Sequence, residues 1–414
     1  MAAGRNTVVA ALDVGSNKVC CFIARADPAG GVRVVGIGHQ VSLGMRAGAV
    51  TDIETVETSI RAAVDAAERM AGETAQGVYA TVSSGPLVSR TVAAEIDVGG
   101  HAIAEGDVRR VLGQAKSKIA KADGYMLHAE PTGHSIDASR GIREPRGMYG
   151  DRLGVRLHVL TAAPGPLRNL RTVIERCHLE VDGLAASAYA AGLACLVDDE
   201  MDLGVTVIDM GAGTTSLGVF YEGALVHADV VPVGGGHVTN DIARGLSTTT
   251  SHAERIKTLH GSAIPSPADE REMVTVPQVG ETGTDAVQQV PRSILVGIVQ
   301  PRVEETLELV RDRLEAGGLA RAAGRRLVLT GGASQLTGVR ELAARVLDKQ
   351  VRIGRPLRTQ GLAEVTEGPA FSVCAGLLHY AMRQPAAARK AVDVNTSHEG
   401  NRLFRVGRWL KENF

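Results

Sequence analysis

Thr7–Leu12 is an apolar run that ends in Asp13 and a turn, Gly15-Ser16-Asn17-Lys18, before strand-like Val19–Ala24. The same order returns nearly half a chain later, where Val205–Ile208 ends in Asp209 and the turn Gly211-Ala212-Gly213-Thr214-Thr215. Short apolar runs bounded by glycine turns read as buried strands. Hairpin patterns follow both copies: Val32–Ile37 lies beyond Gly30-Gly31, and Val219–Tyr221 and Ala224–Ala228 flank Glu222-Gly223. Two copies of one supersecondary unit predict two similar lobes facing each other. A length of 414 residues agrees, since it exceeds what a single core usually organises.

The turns carry the chemistry. Glycine after a strand lets backbone N–H groups converge on phosphate oxygens. Lys18 adds a positive charge, and a strand-end carboxylate such as Asp13 or Asp209 suits the hydration shell of Mg²⁺, which keeps several waters. The first segment alone is a weak signal, often just a tight turn, and the second alone divides evenly between turn and phosphate loop; the repetition favours a phosphate clamp with a shared Mg²⁺. Leu327–Thr330 reads as a third buried strand, running into Gly331-Gly332-Ala333-Ser334. Glycine there admits a flat base close to the backbone, or the turn is a helix entry with Ser334 as N-cap. Ser251-x-x-Glu254 fits a capping box, and Glu254 with Lys257 fits a surface pair on one helix face. A contact to ribose and base is the functional alternative.

Elsewhere, Asp52–Met70 has helical spacing with Asp52 as cap. Short strands, a helix over Arg109–Ala120 and the polar stretch His134–Asp151 suggest a small α+β insertion. Pro166–Cys177 and Ser293–Ala316 read as helices, the second bent at Pro301 and stopped by Gly317-Gly318. Ser262–Val290 reads as loop around one short strand. With 3% aromatic residues and a net charge of −1, the chain is not built for nucleic acid. Five cysteines without a C-x-x-C pair fit free buried thiols better than a metal site. Neither a signal peptide nor an apolar run long enough to span a bilayer is expected.

Asn401–Phe414 stands apart, after an aperiodic stretch that reads as a linker. On a helical wheel Leu403, Val406, Leu410 and Phe414 share one face, flanked by Phe404 and Trp409, the sole tryptophan. Arg405, Arg408 and Lys411 supply a basic polar face. Such a helix suits the interface of an anionic membrane, and several copies on a filament bind more tightly than one.

The order of these segments (VVAALDVGSNKV, GVTVIDMGAGTTSLGVF, SHAERIKTLHGSA, QPRVEETLELV, RRLVLTGGASQLTGV, NRLFRVGRWLKENF) resembles the actin-like ATPase superfamily. Within it the chain is most similar to the FtsA family of bacterial cell-division proteins. The resemblance implies an α/β fold with two lobes of duplicated βββαβα-type domains, small inserted subdomains and a C-terminal amphipathic helix. It places the first lobe core at 1–83 and 161–200, an inserted subdomain for filament contacts at 84–160, and the second core at 201–237 and 306–383. A subdomain at 238–305 serves nucleotide-base and FtsZ-tail binding, 384–400 is a linker and 401–414 the membrane helix.

The resemblance also assigns roles. Asp13 and Asp209 hold Mg²⁺ through water. Gly15, Ser16, Asn17, Lys18, Gly211, Ala212, Gly213, Thr214 and Thr215 cradle the phosphates of ATP, with Gly235 and Gly236 nearby. Glu254 and Lys257 meet ribose and base; Gly331, Gly332 and Ser334 meet the adenosine. Arg302 matches a partner-binding arginine, with Glu304 and Glu305 as competing partners. Aligning Tyr189–Gly192 on actin puts Gly183 where actin's helix starts with a water-orienting glutamine, which implies slow hydrolysis at most. The implied role is tethering FtsZ to the cytoplasmic face of the inner membrane at the septum, self-assembly into filaments, and recruitment of later division proteins. A small-molecule kinase or pilus-assembly scaffold of the same fold is the alternative.

Overall fold

The computed structural model describes residues 8–27, 31–119, 124–281, 286–319 and 322–384. In chain order, β1 (Val8–Val14), β2 (Lys18–Asp27) and β3 (Gly31–Val41) are followed by a small hairpin, β4 (Met45–Arg46) and β5 (Ala49–Val50), then α1 (Ile53–Ala71) and β6 (Gly77–Val82). Next come β7 (Leu87–Asp97), α2 (Glu105–Ile119), β8 (Tyr125–Ile136), β9 (Ser139–Ile142) and β10 (Arg152–Ala162). The chain continues through α3 (Pro164–Arg176), β11 (Glu180–Ala186), α4 (Ser187–Cys195) and α5 (Asp198–Leu203). The second half opens with β12 (Val205–Met210), β13 (Thr215–Tyr221), β14 (Ala224–Val231), α6 (Gly235–Gly245) and α7 (Thr250–His260). It closes with β15 (Met273–Pro277), β16 (Val287–Pro291), α8 (Arg292–Ala316), β17 (Arg326–Thr330), α9 (Val339–Leu347), β18 (Gln350–Ile353), β19 (Thr359–Gln360) and α10 (Ser372–Arg383).

The duplication is visible in the sheets. One has the order β11-β6-β1-β2-β3-β19 and another β14-β13-β12-β17-β18. In both, the first three strands in sequence pair antiparallel and the next two add parallel beside the first. Asp13 pairs with Cys20 and Asp209 with Ser216, the same offset in both hairpins. Two large apolar clusters are built mainly from Val, Leu, Ile and Ala: one fills the first lobe and continues onto the near face of the second lobe's sheet at Val205, Val207, Phe220 and Val328, and the other fills the rest of the second lobe. The inserted sheet, β7-β10-β8-β9, carries its own core under α2.

Several local readings match. Asp52 caps α1 by accepting from the Glu54 and Thr55 amides, and Gly72 ends it in a left-handed conformation. Helix α8 runs through Pro301 and is capped at Gly317. Others differ. The stretch 262–290 is not loop around one strand: β15 and β16 pair as a hairpin. Thr249, not Ser251, caps α7, accepting from the His252 amide at 3.2 Å; the helix begins early enough to take Ser251 into its first turn. Residues 359–383, expected in the second lobe, pack on the first. Strand β19 pairs with β3, and Val373, Cys374, Leu377, Leu378 and Tyr380 of α10 join the first lobe's core. The linker from 385 onward, the 401–414 helix and residues 28–30 of the Gly30-Gly31 turn lie outside the described residues. No helix among the described residues is long and apolar enough to cross a membrane.

Helices α4 and α10 touch through glycine: a Cβ on Gly376 would overlap the Ala190 carbonyl. Gly376→Val is therefore expected to destabilise the fold by about 1–3 kcal/mol. Gly113, inside α2 with open space around its missing Cβ, behaves oppositely; Gly113→Ala should stabilise by about 0.5–1 kcal/mol. Chemical denaturation of both variants checks the pair.

Candidate functional site

The two turns are built alike. The Gly15 amide donates to the Lys18 carbonyl at 3.0 Å, and the Gly211 amide donates to the Thr214 carbonyl at 2.9 Å. Each bond closes a tight loop just beyond a strand-end aspartate. Among the described residues, the amides of Ser16, Asn17, Ala212 and Gly213 take no backbone acceptor, so they remain available to an anion. The loops meet: a Cβ on Gly213 would overlap Ser16 Oγ and lie 3.1 Å from Ala47 Cα. Ser16 Oγ in turn accepts from the Gly48 amide at 3.0 Å. The β4–β5 hairpin thus sets its tip against the junction of the two loops, with Ala47 held in the left-handed region at φ 46°.

Asp13 and Asp209 face each other across this junction. Burial raises the Asp209 carboxyl to about 7, and the nearby Asp13 pushes it the same way while Lys18 opposes. Burial also raises Asp13, against the Thr81 hydroxyl and Lys18; Thr81 Oγ1 donates to Asp13 Oδ1 at 2.7 Å. Two half-buried carboxylates that each disfavour ionisation form a hard-oxygen set short of positive charge, which fits a divalent cation held through water. Gly331, at φ 84°, sits where a Cβ would lie 2.5 Å from Asp209 Oδ1; glycine is needed for both the conformation and the space.

Not every expected contact points inward. Thr215 Oγ1 donates to the Val233 carbonyl at 2.8 Å. The amides of Gly235 and Gly236, at the start of α6, donate to the carbonyls of Gly211 and Ala212, so they brace the second loop. Ser334 is buried in a short 3₁₀ turn and its hydroxyl donates to the Gly331 carbonyl at 2.7 Å; it caps no helix, because α9 starts only after Gly338. Lys257 donates to Glu254 at 2.6 Å and to the Gly235 carbonyl at 3.1 Å, and Thr239 joins Glu254. That cluster links α6 and α7 beside the second loop. Gly332 lies against Ala370. Arg302 pairs with Asp241 and Glu305, not Glu304.

Gly183 needs correction. It lies within β11, and α4 starts at Ser187. A Cβ there would strike the Tyr79 ring at 2.9 Å, so its lack of a side chain answers a packing demand and says nothing about water at the phosphates. Sequence reasoning also missed Thr81, Ala47 and Gly48. Nothing local marks them, because they reach the site only through the pairing of β1 with β6 and the folding back of the small hairpin.

This architecture is the actin-like ATPase fold. Among solved structures the chain is similar to the PilM-PilN type IV pilus biogenesis complex, with TM-score 0.62 and 16% identity over 90% of this chain and 98% of that one. It is also similar to MreB5 of Spiroplasma citri bound to ADP, with TM-score 0.55 and 13% identity over 95% of this chain and 100% of that one. These likenesses establish the fold alone. In sequence, the family described as Cell division protein FtsA matches residues 206–376, and the SHS2 domain inserted in FTSA matches 85–161. The cell division protein FtsA of Rhizobium meliloti (strain 1021) is 48% identical across 99% of this chain and 96% of its own length. That of Escherichia coli (strain K12) is 34% identical across 98% of both. The chain belongs to the FtsA family of cell division proteins.

The raised carboxyl has a measurable consequence. An unfolded aspartate ionises near pH 4 and folded Asp209 near 7, so its favourable contribution is complete below about pH 4 and is lost as pH rises through 7. Without divalent cations, Asp209→Asn is expected to melt roughly 2–4 °C above wild type at pH 8. The gap should close near pH 4. Thermal melts across that range decide it; an equal gap at both ends would contradict the buried-charge account.

Proposed function

We propose that this cell division protein binds ATP with Mg²⁺ between its two loops, assembles into actin-like filaments, and tethers FtsZ to the cytoplasmic face of the inner membrane at the septum, where it helps recruit later division proteins. The observation that carries the nucleotide part is the duplicated turn: two equal loops, each with amides open to an anion and a strand-end carboxylate, pressed together at Ser16 and Gly213.

Ser16, Asn17, Ala212 and Gly213 would donate backbone N–H bonds to phosphate oxygens, and Lys18 would add charge. Asp13 and Asp209 would orient the waters of Mg²⁺, with Thr81 fixing Asp13. The metal supplies neutralisation of phosphate charge. Glu254 and Lys257 would meet ribose and base, and their mutual ion pair already orders them. ADP and AMPPNP occupy solved MreB5 structures of this fold, which supports the nucleotide reading.

The inserted subdomain at 84–160 is assigned to filament contacts and 238–305 to the FtsZ tail. Arg302 is already engaged by Asp241 and Glu305, so a tail carboxylate would have to displace one of them. Basic and aromatic residues of 401–414 (Arg405, Arg408, Lys411, Phe404, Trp409) would seat that segment on anionic lipid, with Leu403, Val406, Leu410 and Phe414 inward to the acyl region. The kinase and pilus-scaffold alternatives offer no use for such a segment.

Co-sedimentation with anionic liposomes and ATP, with and without the FtsZ tail peptide, tests the proposal. Deletion of residues 401–414 should reduce liposome binding at least tenfold, in keeping with loss of an interfacial helix, and leave ATP affinity unchanged. Undiminished sedimentation of the truncated chain would rule out this anchor.

A further inference from the structure

One aromatic ring beside the first loop has no part in the roles above. Lys18 Nζ lies 3.4 Å from the centroid of the Phe371 ring and donates to the Ala370 carbonyl at 2.6 Å. The ring is itself fixed. Phe22 stacks on it at 6.1 Å between centroids and His39 meets it edge-on at 5.8 Å, so it is buried in the first lobe. Its backbone is anchored to the other lobe: the Pro369 carbonyl accepts from the Gly331 amide at 3.1 Å and from Thr330 Oγ1 at 3.2 Å. Ser372 Oγ sits 2.8 Å from the same threonine hydroxyl. Consecutive carbonyls therefore grip opposite sides of the cleft, Pro369 the strand end beside Asp209 and Ala370 the lysine of the first loop.

A lysine side chain has four flexible torsions, and ordering it on ligand binding costs conformational entropy. A ring face and one carbonyl that hold the ammonium beforehand remove much of that cost while leaving other N–H donors free. We propose that Phe371 is a positioning residue for Lys18, holding its ammonium at the first loop ready for the phosphates of a nucleoside triphosphate. This rests on the ATP reading of the cleft and adds a residue to it. Because Phe371 hangs from Thr330 and Gly331, Lys18 stands correctly only when the two lobes are in register, so the lysine senses lobe alignment.

The test is ATP affinity of the full chain, read with a fluorescent ATP analogue and Mg²⁺, for wild type, Phe371→Leu, Phe371→Tyr, Lys18→Met and the Phe371→Leu/Lys18→Met double variant. Phe371→Leu should weaken binding about five- to tenfold, and Phe371→Tyr, which keeps the ring face, should stay within about twofold. On the Lys18→Met background, Phe371→Leu should add no further loss. Unchanged or tighter binding by Phe371→Leu, or the same loss on both backgrounds, overturns the positioning role while leaving the site intact. A wild-type chain that binds no ATP overturns both this role and the proposed function. Melting temperatures of the same set, without nucleotide, report the contact directly: non-additivity supports it and additivity counts against it.

Discussion

Asp13 and Asp209 approach each other from opposite lobes at a place where burial disfavours both charges. Like charges in a poorly solvated cleft push the lobes apart unless something positive stands between them. The architecture of the cleft answers this demand in layers. Thr81 donates a hydrogen bond to Asp13, Lys18 brings an ammonium near both carboxylates, and Gly331, which has no Cβ, leaves room for Asp209. The turns that carry the carboxylates are closed by bonds of the same kind at the same offset. Their shape is therefore set locally by each hairpin, and only their meeting depends on the tertiary fold. A cleft organised in this way is stable enough to exist and incomplete in charge, which is the condition for a cation and a polyanion to bind together.

What the sequence made legible follows from range. The repeated strand, aspartate and glycine turn are written in adjacent residues, so the hairpins, the duplicated sheets and the Asp52 cap could be read directly. Assignments that depend on distant partners could not. Helix α10 has an apolar face that the sequence alone does not assign to a lobe; Val373, Leu377 and Leu378 pack into the first lobe's core, and Gly376 lets the helix approach Ala190 of α4 closely. Gly183 looked meaningful by its spacing from Tyr189, yet Tyr79 occupies the space beside it. Ser334 and Thr215 have the side chains that phosphate or adenosine sites use, but their hydroxyls are spent on the Gly331 and Val233 carbonyls. A hydroxyl's partner is a tertiary fact, and residue type alone does not reveal it.

The two lobes share a core but place their additions differently, and that asymmetry has mechanical content. In the second lobe the extra elements lie between α6 and α8. In the first, the added sheet leaves directly from the end of β6, within a few residues of Thr81, the partner of Asp13. It then touches both lobes. The Ser89 hydroxyl donates to the Ala228 carbonyl at 3.1 Å and accepts from the Ala228 amide at 2.9 Å, occupying both polar groups of one residue on the edge strand β14. On the other side, His128 Nε2 accepts from the Ala186 amide, and Tyr189 donates to Glu130 at 2.6 Å. Rotation of one lobe against the other must either break the Ser89 bonds or drag the added sheet along. Dragging it would in turn strain the His128 and Tyr189 bonds that hold it to the first lobe. The added sheet, rooted beside Asp13 and bonded to the opposite lobe at Ser89, is a polar bridge between the two lobes.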